Sequence, residues 1–291
     1  MAPQRLLVHS LRPLLRRPLL SQQAQTLARP TRASQLRLIS TAEHTVEVPA
    51  KPSLGWRIFS TTGRALLFTT VGFAMALAPA YSSAKDIINP LTDAETLDVY
   101  TPLTPEEQEK EDFINSFPLV AELRQNPDFV ESRPHLKIPP AWRSQNLTGG
   151  ALLGPGRVTV PPLAFNEKGG KSLVQIFHVG PDMCGHVGII HGGFLATMLD
   201  EGLGRCCFAA LPHNIGMTAK LEINYKAPAI ADQYLVLKAT TTKVEGRKAW
   251  IEGRIETLPK DGEEPTVLAT AEALYISPRQ AAMMAKVYPV A

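Results

Sequence analysis

Cysteine is scarce in this chain, with three in 291 residues at Cys184, Cys206 and Cys207. That leaves no disulfide framework, and the spacing matches no zinc-ligand pattern. The three read as small apolar packing residues in a reducing compartment, and no metal or cofactor is expected. Residues 1–42 lack both lysine and any carboxylate, yet they hold seven arginines, more than the formal net charge of +3 for the whole chain. The remainder is therefore near-neutral or acidic, which argues against a nucleic-acid binder.

Those arginines (Arg5, Arg12, Arg16, Arg17, Arg29, Arg32, Arg37) alternate with leucines, and the first carboxylate is Glu43. Short turns would present one apolar and one cationic face, the pattern of an organelle transit peptide. Arg37-Leu38-Ile39-Ser40 resembles a mitochondrial processing site. A basic arm for nucleic acid or acidic membrane is the competing reading, against which stand the missing lysines and the interleaved leucines. Residues 1–42 are thus expected to be a mitochondrial presequence, followed by a linker over 43–102.

Within that linker, twenty uncharged residues separate Arg64 from Lys85, and Ala65 to Tyr81 is mostly apolar. Seventeen helical residues rise about 25 Å, just short of a bilayer core of about 30 Å. Thr69, Thr70 and Gly72 dilute the stretch, and Pro79 is expected to end it. A helix spanning the inner membrane and an interfacial leader to a matrix protein both stay open.

Residues 103–150 read as a helix and an extended connection. Thr104-Pro105-Glu106-Glu107 has the form of a capping box with proline at the first helical position, and Phe113, Phe117, Val120 and Leu123 would share one face. A folded domain is expected over 151–279, with a tail at 280–291. Lys220 to Lys226 alternates polar and apolar without a slip, as a half-buried strand must. Strands also follow for Leu173 to Val179, Tyr234 to Val244, Lys248 to Leu258 and Thr266 to Ile276, bounded by turns such as Gly169-Gly170, Glu245-Gly246 and Lys260-Asp261-Gly262. Consecutive strands with short turns make an antiparallel sheet. Ile189 to Leu199 differs: it is apolar on every side of a helical projection, so as a helix it must be buried. One long central helix wrapped by an antiparallel sheet is the α+β hotdog architecture.

Asp200, with Glu201 beside it, directly follows that apolar run. A carboxylate there is costly unless it serves a purpose, although a helix emerging into solvent would also accommodate it. At the helix start, His191-Gly192-Gly193 offers backbone N–H groups without intrahelical acceptors at the positive end of the helix dipole, suited to an oxyanion; a plain helix cap is the alternative. Asp200 lies seven residues after Gly193, about 10 Å along the axis. A carboxylate must come within about 3–3.5 Å of the reacting atoms, directly or through one water. If both groups act, the site must be shared between Gly192 of one chain and Asp200 of another.

His191-Gly192-Gly193 with Asp200, then Thr218 to Lys226, then Lys243-Val244-Glu245-Gly246-Arg247-Lys248, resembles the hotdog acyl-CoA thioesterases. The likeness is to the mitochondrial long-chain group and, more broadly, to the phenylacetyl-CoA thioesterase-like branch, and it covers roughly 152–277. The resemblance implies that Asp200 is general base or nucleophile, that the Gly192 N–H polarises the thioester carbonyl, that His191 shapes the turn, and that Thr218 helps place the attacking water. It also implies CoA contacts from Asn224, Lys226 and the turn Glu245, Gly246, Arg247 and Lys248, and assembly as a homodimer or a tetramer of dimers. The lysines and the arginine suit CoA phosphates, though each alone is an ordinary surface charge. Several relatives carry an asparagine six residues before the histidine, where this chain has Gly185 beside His186. A catalytically weak acyl-CoA-binding protein with a sensor role is therefore the alternative from another class, and a hotdog hydratase or dehydratase the alternative enzyme.

Overall fold

The computed structural model describes residues 51–88, 90–259 and 264–284. The expected presequence, the turn Lys260-Asp261-Gly262 and most of the C-terminal tail lie outside the described residues. The chain divides into two units, Met1–Arg57 and Ile58–Ala291. Of the first, only residues 51–57 are described, and they enter helix α1 (Leu54–Ile88). Helix α1 continues through Pro79, where the sequence suggested a stop. A proline well inside a helix removes one hydrogen bond and usually kinks it, but the turns on both sides of Pro79 are helical here. Leu66, Leu67, Phe68, Phe73 and Met75 are all exposed along it.

Helix α2 (Asp93–Asp98) opens with a complete capping box between Thr92 and Glu95. Helix α3 (Pro105–Ser116) is capped by Thr104, whose hydroxyl accepts from Glu107 N at 3.1 Å. The reciprocal half of the expected box is displaced by one residue, because the Glu107 carboxylate accepts from Leu103 N rather than from the cap. The single helix expected to carry Phe113 through Leu123 is two helices. Phe117 is extended (ψ 135) and helix α4 (Pro118–Gln125) begins at the proline, since a residue preceding proline is driven out of the α region. The expected connection to Gly150 is more structured than its composition suggested. It contains β1 (Phe129–Ser132), a 3-10 turn at Pro134–Lys137, short helix α5 (Pro140–Arg143) and a π turn at Leu147–Ala151.

The domain core follows: β2 (Leu163–Glu167), β3 (Ser172–Val179), the small hairpin β4 (Cys184–His186) and β5 (Ile189–Ile190), helix α6 (Gly192–Phe208), β6 (Met217–Tyr225), β7 (Gln233–Glu245), β8 (Lys248–Thr257), β9 (Val267–Ile276) and a closing turn of helix, α7 (Ala281–Met284). Seven strands form one antiparallel sheet in the order β1-β2-β3-β7-β8-β9-β6. The five expected strands are all present with ends shifted by a few residues. The expected helix starts three residues late and runs nine beyond Leu199. Ile189 and Ile190 pair as β5 instead, and Ile190 N donates to Ala229 O.

Alternation along the strands separates two cores. Leu173, Phe177, Leu235, Leu237, Ile251, Ile255 and Tyr275 point inward onto Phe194, Leu195, Met198, Leu199 and Leu203 of α6. Ile176 and Val236, of opposite parity on β3 and β7, join Phe165 and Leu163 under Ile114, Val120 and Leu123 of α3 and α4. The hotdog sheet thus embraces α6 on one face and carries a helical hairpin on the other. Phe113 stacks on Tyr234 with ring centroids 4.2 Å apart. Ile114 is fully buried, so Ile114→Ala is expected to destabilise the chain by roughly 2–4 kcal/mol in denaturant unfolding; a loss well under about 1 kcal/mol would show that the hairpin merely rests on the sheet.

Candidate active site

Adjacent residues on a helix point about 100° apart, and α6 uses that angle to send its two carboxylates to different surroundings. Glu201 turns toward the 3-10 turn and the π turn. His135 Nε2 lies 2.9 Å from its Oε1, and Arg205 Nη2 lies 3.0 Å from the same oxygen. Burial works against the charged form of Glu201, but His135, Arg205 and a hydrogen bond from Thr148 outweigh it and hold the carboxyl well below its ordinary range. Glu201 is thereby committed to internal partners.

Asp200 turns the other way, toward β6 and β9. Thr218 Oγ1 donates to its Oδ1 at 2.8 Å. The Tyr275 hydroxyl, 3.2 Å from the same oxygen, also bonds the Asp200 backbone carbonyl. Oδ2 has no partner among the described residues. The residue pattern of the sequence did not single out Tyr275, which reads there as one more inward-facing strand residue; only the register Thr218↔Tyr275 places its hydroxyl beside Asp200. Thr218 is thus bonded directly to the carboxylate.

At the start of α6, His191 is the N-cap, its Nδ1 accepting from Gly193 N at 2.9 Å. The Gly192 N–H has no acceptor among the described residues, whereas its carbonyl accepts from the Tyr225 hydroxyl at 2.9 Å. A shallow groove beside Gly192 is lined by Ile189, Leu195, Tyr225, Ala227 and Pro228. Gly185, the departure noted above, faces this turn: a Cβ there would sit 2.9 Å from His191 Cδ2 and 3.2 Å from His191 Cα. An asparagine at that position would collide with the capping histidine. His186 is exposed in the β4–β5 hairpin.

The sequence-derived residues fall into two groups. Asn224 and Lys226 lie at the Tyr225 end of β6, with Gly192. The turn Glu245, Gly246, Arg247 and Lys248 lies at the other end of the sheet, because Lys248 and Met217 both pair with Ile276. Arg247 holds it there by donating to Ser277 O at 2.7 Å. The structure therefore brings Asp200, Thr218 and the Glu245–Lys248 turn together, and separately Gly192, His191, Asn224 and Lys226. From Thr218 to Tyr225 the strand advances about 23 Å, and Gly192 is about 12 Å from Asp200 along α6.

Two other reactive sets are closed off. Burial raises the thiol pKa of Cys206 to about 11 and of Cys207 to about 12. Thr159, His178 and Asp232 form a hydroxyl–imidazole–carboxylate chain at 2.9 and 3.1 Å, but Thr159 is 3% exposed, and burial depresses the His178 pKa.

A family model described as Thioesterase superfamily matches residues 187–262. UPF0644 protein PB2B4.06 of Schizosaccharomyces pombe is 36% identical over 200 residues, covering 66% of this chain and 76% of that protein. Acyl-coenzyme A thioesterase THEM4 of Bos taurus is 34% identical over 112 residues, 38% of this chain and 44% of its own length. Uncharacterized mitochondrial membrane protein FMP10 of Saccharomyces cerevisiae is 29% identical over 161 residues, covering 54% and 62% of the two chains. The chain belongs to the hotdog thioesterase superfamily, a class of thioester hydrolases.

The depressed Glu201 pKa means that ionised Glu201 stabilises the fold above the ordinary carboxylate pKa, and that this contribution fades as pH falls below it. Glu201→Gln is expected to cost about 2 kcal/mol at pH 7, with the gap to the unmodified chain narrowing in acid; a pH-independent gap in denaturant titrations would contradict the assignment.

Proposed function

We propose that this chain is a mitochondrial acyl-CoA thioesterase whose active site is shared across a homodimer. The observation that carries the reading is the position of β6. It is an edge strand with one sheet neighbour, with Asp200 and Thr218 at one end and Gly192 with Tyr225 at the other. An open edge is a template for pairing with another strand. Antiparallel pairing of two β6 strands about a two-fold axis near Leu221 and Glu222 would set the Thr218 end of each against the Tyr225 end of its partner. The Asp200 carboxylate would then face a partner's Gly192 N–H, and the Glu245–Lys248 turn would approach the partner's Asn224 and Lys226.

In such a site the Gly192 N–H polarises the thioester carbonyl at the helix N-terminus. Asp200 takes a proton from a water as that water attacks and returns it to the departing sulfur, or attacks the carbonyl itself to form a mixed anhydride that a water then hydrolyses. The C–S bond breaks, CoA leaves as the thiol, and the acyl group leaves as the free acid. A thioesterase as one relative and a mitochondrial membrane protein as another support the substrate class and the location.

Asp200→Asn is expected to lower turnover of palmitoyl-CoA, followed with a thiol reagent, by about 10²- to 10⁴-fold with the fold intact. Gly192→Pro, tolerated at a first helical position, removes the N–H. Coexpressed, the two inactive chains should regain activity, since one of the two sites in a mixed dimer holds both intact groups. No recovery in a verified heterodimer would contradict the shared site, and tight binding without hydrolysis by the unmodified chain would favour the sensor alternative.

The proposal extends to the membrane. Helix α1 is continuous, so the twenty uncharged residues from 65 to 84 rise about 30 Å, the thickness of a bilayer core. Arg57 and Arg64 precede this stretch, whereas Lys85 and Asp86 follow it and cancel. Retention of positive charge on the matrix side places the catalytic domain in the intermembrane space. The chain is expected to stay in the pellet on carbonate extraction, and a C-terminal tag should become protease-sensitive once the outer membrane is opened; a tag protected until the inner membrane is breached would exclude this orientation.

A further inference from the structure

We propose that Tyr275 is a positioning residue for Asp200, and that Gly204 is glycine so that the tyrosine can reach it. The inference rests on Asp200 being the reacting carboxylate. Tyr275 sits near the end of β9, directly opposite Thr218 on β6 and Ala249 on β8. Its ring is 2% exposed, and Phe208 meets it edge-on at a centroid distance of 6.5 Å. The single phenolic proton faces two acceptors of one residue, the Asp200 carbonyl and Oδ1. Thr218 donates to the same Oδ1. One carboxylate oxygen is therefore held by two hydroxyls from two strands, while the other stays available for a proton or a carbonyl carbon. A side chain tied at both its backbone and its tip has little rotamer freedom left, which is what a reacting carboxylate needs.

Gly204 lies one helical turn after Asp200. A Cβ there would come within 2.9 Å of Tyr275 Cε1 and 3.3 Å of Cζ, closer than ring carbons tolerate. Glycine inside a helix is unfavourable relative to alanine, so the space it leaves has to serve something, and the phenol fills it. On α6 and β6, the other groups facing the pair do not compete for its charge. Cys207 on α6 stays a thiol, its pKa pushed up to about 12. Glu201 on the same helix is engaged by His135 and Arg205. Thr218 on β6 is uncharged, and Lys220 pairs with Glu222 at 2.9 Å. Burial and the Asp200 charge keep the Tyr275 pKa raised, so the phenol remains a donor across the working pH range.

The test is Tyr275→Phe in the full chain, solubilised in detergent and assayed on palmitoyl-CoA. Turnover should fall about 10- to 100-fold with KM nearly unchanged. In an Asp200→Asn background the same substitution should cost nothing further. Gly204→Ala, which displaces the ring without touching the hydroxyl, should reproduce the turnover loss with KM nearly unchanged. The proposal is overturned if Asp200→Asn is inactive while Tyr275→Phe keeps wild-type turnover, or if Tyr275→Phe costs as much in the asparagine background as in the unmodified chain. Normal turnover by Asp200→Asn alone would instead overturn the catalytic assignment itself, and this inference with it.

Discussion

Burial of α6 against the inner face of the sheet is the constraint on which the site depends. The helix is apolar enough to demand cover on most of its surface, and Phe194, Leu195, Met198, Leu199 and Leu203 meet side chains from several strands. Once those contacts set the rotation of the helix about its axis, the two carboxylates have no freedom of direction. Asp200 must face Thr218 and Tyr275, and Glu201 must face His135 and Arg205. The same packing fixes the first turn, where His191 caps the helix by accepting from Gly193 N.

A second constraint is the length of that helix compared with the reach of chemistry. Donor and carboxylate lie on one rigid element about 12 Å apart, and the flanking residues proposed to contact CoA divide between the same two ends. Rigidity makes each half well organised and, in the proposed enzyme, leaves one protomer incomplete. In the proposed enzyme two copies supply each other through the open β6 edge, so that assembly and catalysis draw on the same strand.

The helical hairpin α3–α4 gives the sheet a second core on its outer face, where Ile114, Val120 and Leu123 cover Ile176 and Val236. The segment that read as a helix and an extended connection therefore belongs to the folded body. The 3-10 turn, the π turn and β1 follow from them, and they supply His135 and Thr148 to Glu201.

Much of this was legible in the sequence. The unbroken alternation from Lys220 to Lys226 and the all-round apolar run before Asp200 define strand and buried helix, because period and polarity are local properties. The proline at 118 and the pairing of Ile189 and Ile190 were harder to read. A short apolar stretch serves helix or strand equally well until its neighbours choose, and β1 and β2 carry too few residues to show a period. What only the tertiary structure decided is which distant residues meet Asp200. Tyr275 stands 75 positions away and Thr218 stands 18 away, and their convergence follows from strand register and the rotation of α6, neither of which any local pattern records. Gly204 is the clearest case: in sequence it is a weak point in a helix, and its reason is the ring of a tyrosine from another strand.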